Sequence, residues 1–349
     1  MSLLLSELKI GNFYVKNRIV MPPMDMYETQ VLDGKINQFH LIHYGARALG
    51  GVGLIIVQAC AINENAKIAD NDIGLWGDFQ IQGHKELVDL CHHFGAKVAI
   101  QLNHSGRKNS CKQAISKAPS NIAFSEKFSK LHVLSKDEIL QIEQEFIQSA
   151  KRAKEAGYDA IELHSAHGYL LSSFLSPLSN QRDDEYGGSF ENRARLLCDI
   201  IKRIKKEVDI TLFVRISATE WQEGGWNLED SKKLALILEN LGVDMLDISA
   251  GGNTNKPSLV PNIAPLYQAP YAKALKEVVK IPISCVGLIN SASEGEALLL
   301  GEVCDLVCYG RKLLRNPNFT NEAAVALNER EKITPNYSRA YLQNNTKSF

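Results

Sequence analysis

Apolar positions along the chain follow two periods that alternate from end to end. The first is the three- and four-residue step of an amphipathic helix. After Ser135, residues Ile139, Ile142, Phe146, Ala150 and Ala153 make one stripe that stops at Gly157. Ser135-Lys-Asp-Glu138 reads as a capping box, which predicts the helix start, and Asn227 caps a second such helix with Leu234, Leu238 and Leu241 on its buried face. The second period is the alternation of short strands. Eight such runs are predicted near 17–22, 53–59, 97–102, 159–164, 211–216, 244–249, 282–287 and 305–309.

The passage from helix to strand repeats. Glu155-Ala-Gly157-Tyr-Asp159, Asn240-Leu-Gly242-Val-Asp244 and Gly301-Glu-Val-Cys-Asp305 each lead from a helix end into an apolar run, with looser copies at 49–56 and 93–100. Glycine suits the residue after a helix, where a positive φ is often needed. Eight strand–helix units predict an α/β protein with a closed (β/α)8 TIM barrel rather than an open sheet, and no Gly-x-Gly-x-x-Gly follows a strand. The expected frame is one domain spanning 1–349, with an N-terminal hairpin cap and excursions at 104–134 and 170–190 after the third and fourth strands. Barrel enzymes place their chemistry at that end.

Strand parity then selects the inward side chains. In Val98–Leu102 the branched residues share one face and leave Gln101 on the other. By the same reasoning Glu162, His164, Arg215, Asp247 and Ser249 face the lumen. Gln101, His164 and Arg215 therefore converge at the C-terminal ends of the third, fourth and fifth strands. An amide, an imidazole and a guanidinium buried together are costly unless a polar ligand satisfies them. His164-Ser-Ala-His167-Gly-Tyr169 adds a second imidazole and a phenol, a set suited to gripping a carbonyl or nitro oxygen and supplying a proton. The competing reading makes His164, His167, His40, His43 and His104 metal ligands of a barrel hydrolase, but no carboxylate or cysteine completes a familiar spacing. Gly287 after the seventh strand, with Gly310-Arg311 after the eighth, occupies the recurrent phosphate position of barrels.

Composition narrows the partners. The 39 basic and 40 acidic residues leave a net charge of -1 and no basic surplus for a nucleic acid. The longest apolar run, Val52–Ile62, is broken by Gln58 and is too short to span a bilayer. The first residues lack a signal-peptide pattern, and the seven cysteines form no Cys-x-x-Cys pair. A cytoplasmic protein with reduced thiols is expected, without nucleic-acid or membrane partners.

Asn17-Arg-Ile-Val-Met-Pro-Pro-Met24, Gln101-Leu-Asn-His-Ser-Gly-Arg107-Lys108, His164–Tyr169 and the long run Leu175–Arg193 together resemble the old yellow enzyme family of FMN-dependent ene-reductases. The resemblance extends from about residue 5 to 341 and is nearest the compact bacterial NADPH dehydrogenase subgroup. Length and the lack of clustered cysteines separate the chain from longer relatives that carry an iron–sulfur cluster.

The resemblance implies FMN as cofactor, NADPH or NADH as hydride donor, and an activated alkene, quinone or nitro compound as acceptor in a ping-pong reaction. It assigns the isoalloxazine to Pro22, Pro23, Met24, Asp25, Ala59, Gln101 and Arg215, and the phosphate to Gly310 and Arg311. His164 and His167 would bind the substrate's electron-withdrawing group, Tyr27 and Tyr169 would flank it, and Tyr169 would donate the proton. Asp25 stands where the subgroup usually has cysteine, and a weakened flavin-binding barrel is one consequence that this departure allows. The segment Asn336–Tyr341 is similar to one that subgroup members extend into a neighbouring protomer. A homodimer or dimer of dimers is thus expected, with Arg339 in the partner's site and residues 335–349 as the contacting tail.

Overall fold

The computed structural model describes residues 1–341 apart from 30, 113–114 and 129; the end of the tail, 342–349, lies outside the described residues. Eight parallel strands close a barrel: β1 Ile19–Met21, β2 Leu54–Ala61, β3 Lys97–Asn103, β4 Ala160–Ser165, β5 Thr211–Ser217, β6 Met245–Ser249, β7 Ile283–Cys285 and β8 Leu306–Cys308. Each pairs with its sequence neighbours, and β8 closes on β1. This is the TIM barrel expected from the alternating periods.

The alternation sorts the apolar residues into two cores. Ile55, Ile100, Leu102, Ile161, Leu163, Val214 and Ile248 pack outward against the helices. Val20, Leu54, Ile56, Ala99, Ala160, Phe213, Met245 and Leu306 fill the lumen. An antiparallel hairpin, Leu8–Ile10 with Phe13–Val15, plugs the N-terminal end by adding Ile10, Phe13 and Val15 to the inner cluster. The lumen is thus dry at one end, so the polar residues gather at the other.

The helix caps fall where expected: Ser135 and Glu138 form the capping box of Lys136–Glu155, and Asn227 accepts from the Glu229 and Asp230 N–H groups. Gly157 and Gly242 take φ of 90° and 84° after their helices. At the third copy the expectation fails. Gly301 has φ -78°, and the left-handed position belongs to Glu302 at φ 53°. The helix Ala292–Leu300 runs one residue further relative to its glycine, so the turn falls on the next residue.

The aspartate of each junction has a structural task. Asp159 donates its N–H to the Val98 carbonyl and accepts the Val98 N–H on Oδ2 at 2.8 Å. Asp244 does the same to Leu212 at 2.9 Å, and Asp305 to Ile283 at 2.9 Å. Lys97, Lys205 and Lys276 pair with the three carboxylates. Each aspartate ties the start of its strand to the strand before, which fixes the stagger of the barrel. Between β3 and β4 the chain adds a small parallel pair, Ser116–Ala118 with Leu131–Val133, and after β4 the short helix Leu170–Leu175. Both excursions crown the C-terminal end.

Replacing Asp244 by alanine leaves the buried Leu212 N–H without its acceptor and is expected to cost about 1–2 kcal/mol. A lower urea midpoint with an unchanged slope is the expected result; an unchanged midpoint would remove Asp244 from this role.

Candidate active site

The lumen-facing polar residues meet in register across four strands. Gln101 lies beside Glu162, His164 beside Arg215, and Arg215 beside Asp247. Gln101 Nε2 donates to Glu162 Oε1 at 2.8 Å, Arg215 Nε stands 3.0 Å from Asp247 Oδ2, and Ser284 Oγ donates to Asp247 Oδ1 at 2.5 Å. Burial disfavours the Arg215 charge, but the Asp247 and Glu162 carboxyls outweigh it and hold the guanidinium above its ordinary range. Glu162 is pushed up to about 8, first by burial and then by Asp247.

Above this layer the histidines are fixed by their own loop. Ala166 N–H donates to His164 Nδ1 at 3.2 Å, so the ring proton sits on Nε2. His167, at φ 59°, donates its backbone N–H to Ser217 Oγ at 2.9 Å and sets its ring Nε2 2.7 Å from Ser249 Oγ. The His164 ring is 5.2 Å from that of His167 and 4.8 Å from that of Tyr169, both edge-on. Burial, then the neighbouring cations, holds both imidazoles well below the usual histidine range. Burial also drives the Tyr169 phenol up, so it keeps its proton.

Two loops must touch to hold His167 there. A Cβ on Gly168 would come within 2.6 Å of the Gly252 carbonyl oxygen, and one on Gly252 within 2.7 Å of His167 Cα. Lys108 bridges the crossing by donating to the His167 and Gly252 carbonyls at 2.8 and 3.1 Å, with its ammonium 5.1 Å from the Tyr169 ring centre. Burial lowers Lys108 to about 8.

The remaining expected residues ring the same mouth. A register shift in β2 between Val57 and Ala59 sets Ala59 opposite Gln101. Asp25 Oδ1 then accepts the Ala59 N–H at 3.1 Å, so the backbone donor that the family resemblance gives to the isoalloxazine has a partner within the chain. Although the Asp25 edge reaches the open mouth, burial is the largest cause that raises its carboxyl to about 7, followed by the Asp72 carboxylate. Tyr27, at φ 56° and 48% exposed, stands at the rim. Pro22 and Met24 lie against Gly310, with Pro23 between them in the same loop. Arg215, Ser249, Gly287, Cys308, Gly310 and Arg311 line one cleft. The helix Gly310–Arg315 that carries Arg311 is tied down from behind by Arg47, which donates to the Leu313 and Leu314 carbonyls at 3.1 Å.

Among the described residues, Arg215 Nε is a buried donor that makes no hydrogen bond, although it lies 3.0 Å from Asp247 Oδ2, and Glu162 Oε2 is likewise without a partner, so the layer keeps polar capacity for a ligand. Sequence reasoning overlooked Lys108 as a bridge, although it lies within a quoted motif. It also gave Glu162 and Asp247 no task, although charged residues in apolar strands were the available signal.

Two sets do not assemble. Among the described residues no group of three or more His, Cys, Asp or Glu side chains could hold a metal. His40 closes the cap of its helix on Asn37, His43 contacts Arg47, and His104 accepts from Gly106 N–H. Arg339 sits in the outer turn Pro335–Tyr341, exposed and apart from the mouth of its own chain.

Residues 4–330 match the model of the NADH:flavin oxidoreductase / NADH oxidase family. The chain is 45% identical over 341 residues to NADPH dehydrogenase of Listeria innocua, covering 98% of this chain and 100% of that one. Morphinone reductase in complex with tetrahydroNAD superposes with a TM-score of 0.78 at 27% identity, over 93% of this chain and 90% of the other. A 2-naphthoyl-CoA reductase structure gives a TM-score of 0.86 at 25% identity over 95% of this chain, which spans 53% of that longer one.

Because His164 and His167 are held below the ordinary value of 6.5, their ring nitrogens are expected to show no titration in 15N NMR between pH 8 and about 6.5. A protonation midpoint at or above about 6.5 for either ring would contradict the site's electrostatics.

Proposed function

The chain belongs to the NADH:flavin oxidoreductase / NADH oxidase family, as an FMN-dependent NADPH oxidoreductase of the old yellow enzyme type, and from that premise we propose that its barrel mouth reduces activated alkenes. Quinones and nitro compounds present the same kind of electron-poor acceptor. Bound FMN supplies the two-electron chemistry, with hydride in from NADPH or NADH and hydride out to the acceptor.

The protein's part is to hold and polarise. Arg215 and Gln101 would hold the polar edge of the isoalloxazine, where the guanidinium favours the charge that comes with reduction. Pro22, Pro23, Met24, Asp25 and Ala59 would border the ring, and Gly287, Gly310 and Arg311 would receive the phosphate. His164 offers its Nε2–H to the substrate's carbonyl or nitro oxygen, and His167 stands beside it. Tyr27 flanks the substrate from the rim. Tyr169, a phenol that keeps its proton, delivers it to the α-carbon.

The observation that carries this reading is the tautomer of His164. A neutral ring with its proton fixed on Nε2 is a donor that needs no rearrangement when negative charge develops on a substrate oxygen. The Tyr169 ring lies edge-on to it.

In Tyr169→Phe, anaerobic stopped-flow should record an unchanged rate of flavin reduction by NADPH but a fall of about 100-fold or more in reoxidation by an enone. Equal rates in both half-reactions would remove Tyr169 as the acid.

The tail supports a second proposal. Arg339, exposed and remote from its own mouth, would complete the site of a neighbouring protomer in a homodimer or dimer of dimers, with 335–349 as the contacting segment. Deleting residues 335–349 should shift the sedimentation coefficient toward the monomer and raise KM for the enone; a fully active monomer would contradict it.

A further inference from the structure

Beneath the proposed flavin position lies a buried charge cluster with an unequal count. Two carboxyl groups, Glu162 on β4 and Asp247 on β6, share the single guanidinium of Arg215 on β5. Glu162 and Asp247 are completely buried, and Arg215 is 6% exposed. The guanidinium forms an ion pair with Asp247, Nε to Oδ2 at 3.0 Å without a hydrogen bond, and the other Asp247 oxygen accepts from Ser284 of β7. Glu162 receives one bond, from Gln101 of β3, and its Oε2 has no partner among the described residues.

The other groups around it do not repair the deficit. Cys308 of β8 faces Asp247 at 3.9 Å, and burial keeps its thiol protonated. His164, two residues along β4, is neutral, and Asp25 from the loop after β1 adds only a further acid. An ionised Glu162 would leave one oxygen of a buried carboxylate without a donor and with only a share of the Arg215 charge that Asp247 already draws on, which costs more than a neutral carboxyl there. The hydrogen-bond pattern fits the neutral form. Oε1 accepts from the amide as a carbonyl oxygen, and Oε2 is left to carry the proton.

We infer that Glu162 is the proton-carrying member of this cluster and a positioning residue for the flavin, taking up a proton when negative charge arrives on the ring above Arg215. The inference rests on the proposed seat of FMN against Arg215 and Gln101. Two-electron reduction to the anionic hydroquinone consumes two electrons and one proton. Where Glu162 is ionised in the oxidised protein, reduction draws one further proton from solvent onto its carboxylate, and the residue itself is neither oxidised nor reduced. Gln101 remains bonded to Oε1 in both states, so its carbonyl oxygen stays turned toward the ligand. The burial that raises Glu162 to about 8 sets the window. Below it the carboxyl is neutral throughout; above it the extra proton is visible.

The test is the midpoint potential of the FMN holoenzyme against pH, with Glu162→Gln and, as a control for the other raised carboxyl, Asp25→Asn. Wild type and Asp25→Asn should pass from one to two protons per two electrons as pH rises through about 8, while Glu162→Gln stays at one. A wild-type count of one throughout overturns the inference, as does loss of the second proton in Asp25→Asn with its retention in Glu162→Gln. The flavin-free protein gives an independent reading. Its infrared difference spectrum against Glu162→Gln at pH 7 should contain the carbonyl stretch of a protonated carboxylic acid. Absence of that band would overturn the neutral assignment; its presence beside a constant proton count would overturn the coupling to the flavin and point to the seat proposed for FMN as the cause.

Discussion

Arg215 is a charge buried in the polar layer of the barrel lumen and only partly satisfied there. Its strand lies in the barrel wall between two others that carry acids, and the barrel's parity sends all three side chains inward. Removing such a charge from water costs several kcal/mol unless partners repay it. Asp247 faces it as an ion pair at 3.0 Å, but neither Arg215 Nε nor Asp247 Oδ2 makes a hydrogen bond among the described residues. Much of the site follows from that incomplete payment. The cation favours an anionic ring above it, disfavours protonation of His164 and His167, and leaves no second cation for Glu162.

The layer above works by placement. Gly168 and Gly252 let two loops cross at backbone contact, and Lys108 locks the crossing through two carbonyls. This fixes His167 at a positive φ and carries His164 and Tyr169 into edge-on contact. Below, the hairpin plug and the aspartates of the repeated junction fix the barrel's closed end. Stability and chemistry are thereby separated along the barrel axis, as expected of this architecture.

Much of this was legible in the chain because strand alternation and helical stripes are direct consequences of burial. Parity alone placed Gln101, His164 and Arg215 together and turned Glu162 and Asp247 inward. What escaped it depends on one-residue details. Glu302 rather than Gly301 makes the turn after Ala292–Leu300, since helix length and glycine position need not coincide. The bulge in β2 that brings Ala59 beside Gln101 has no period to betray it. The Asp25–Ala59 bond joins residues 34 apart through the register of two strands. The loop after β6, which supplies Gly252 to the crossing, lacks any regular pattern. His167 Nε2 meets Ser249 Oγ across the barrel, a partner only the closed fold reveals.

The central claim is that this mouth holds FMN and passes electrons from a nicotinamide to an activated alkene. The most direct measurement is the visible spectrum of the purified protein under anaerobic conditions, first with NADPH and then with cyclohexenone. The account predicts a yellow protein that bleaches with NADPH and regains its colour with the enone. A protein that bleaches and then stays colourless with the enone would contradict it.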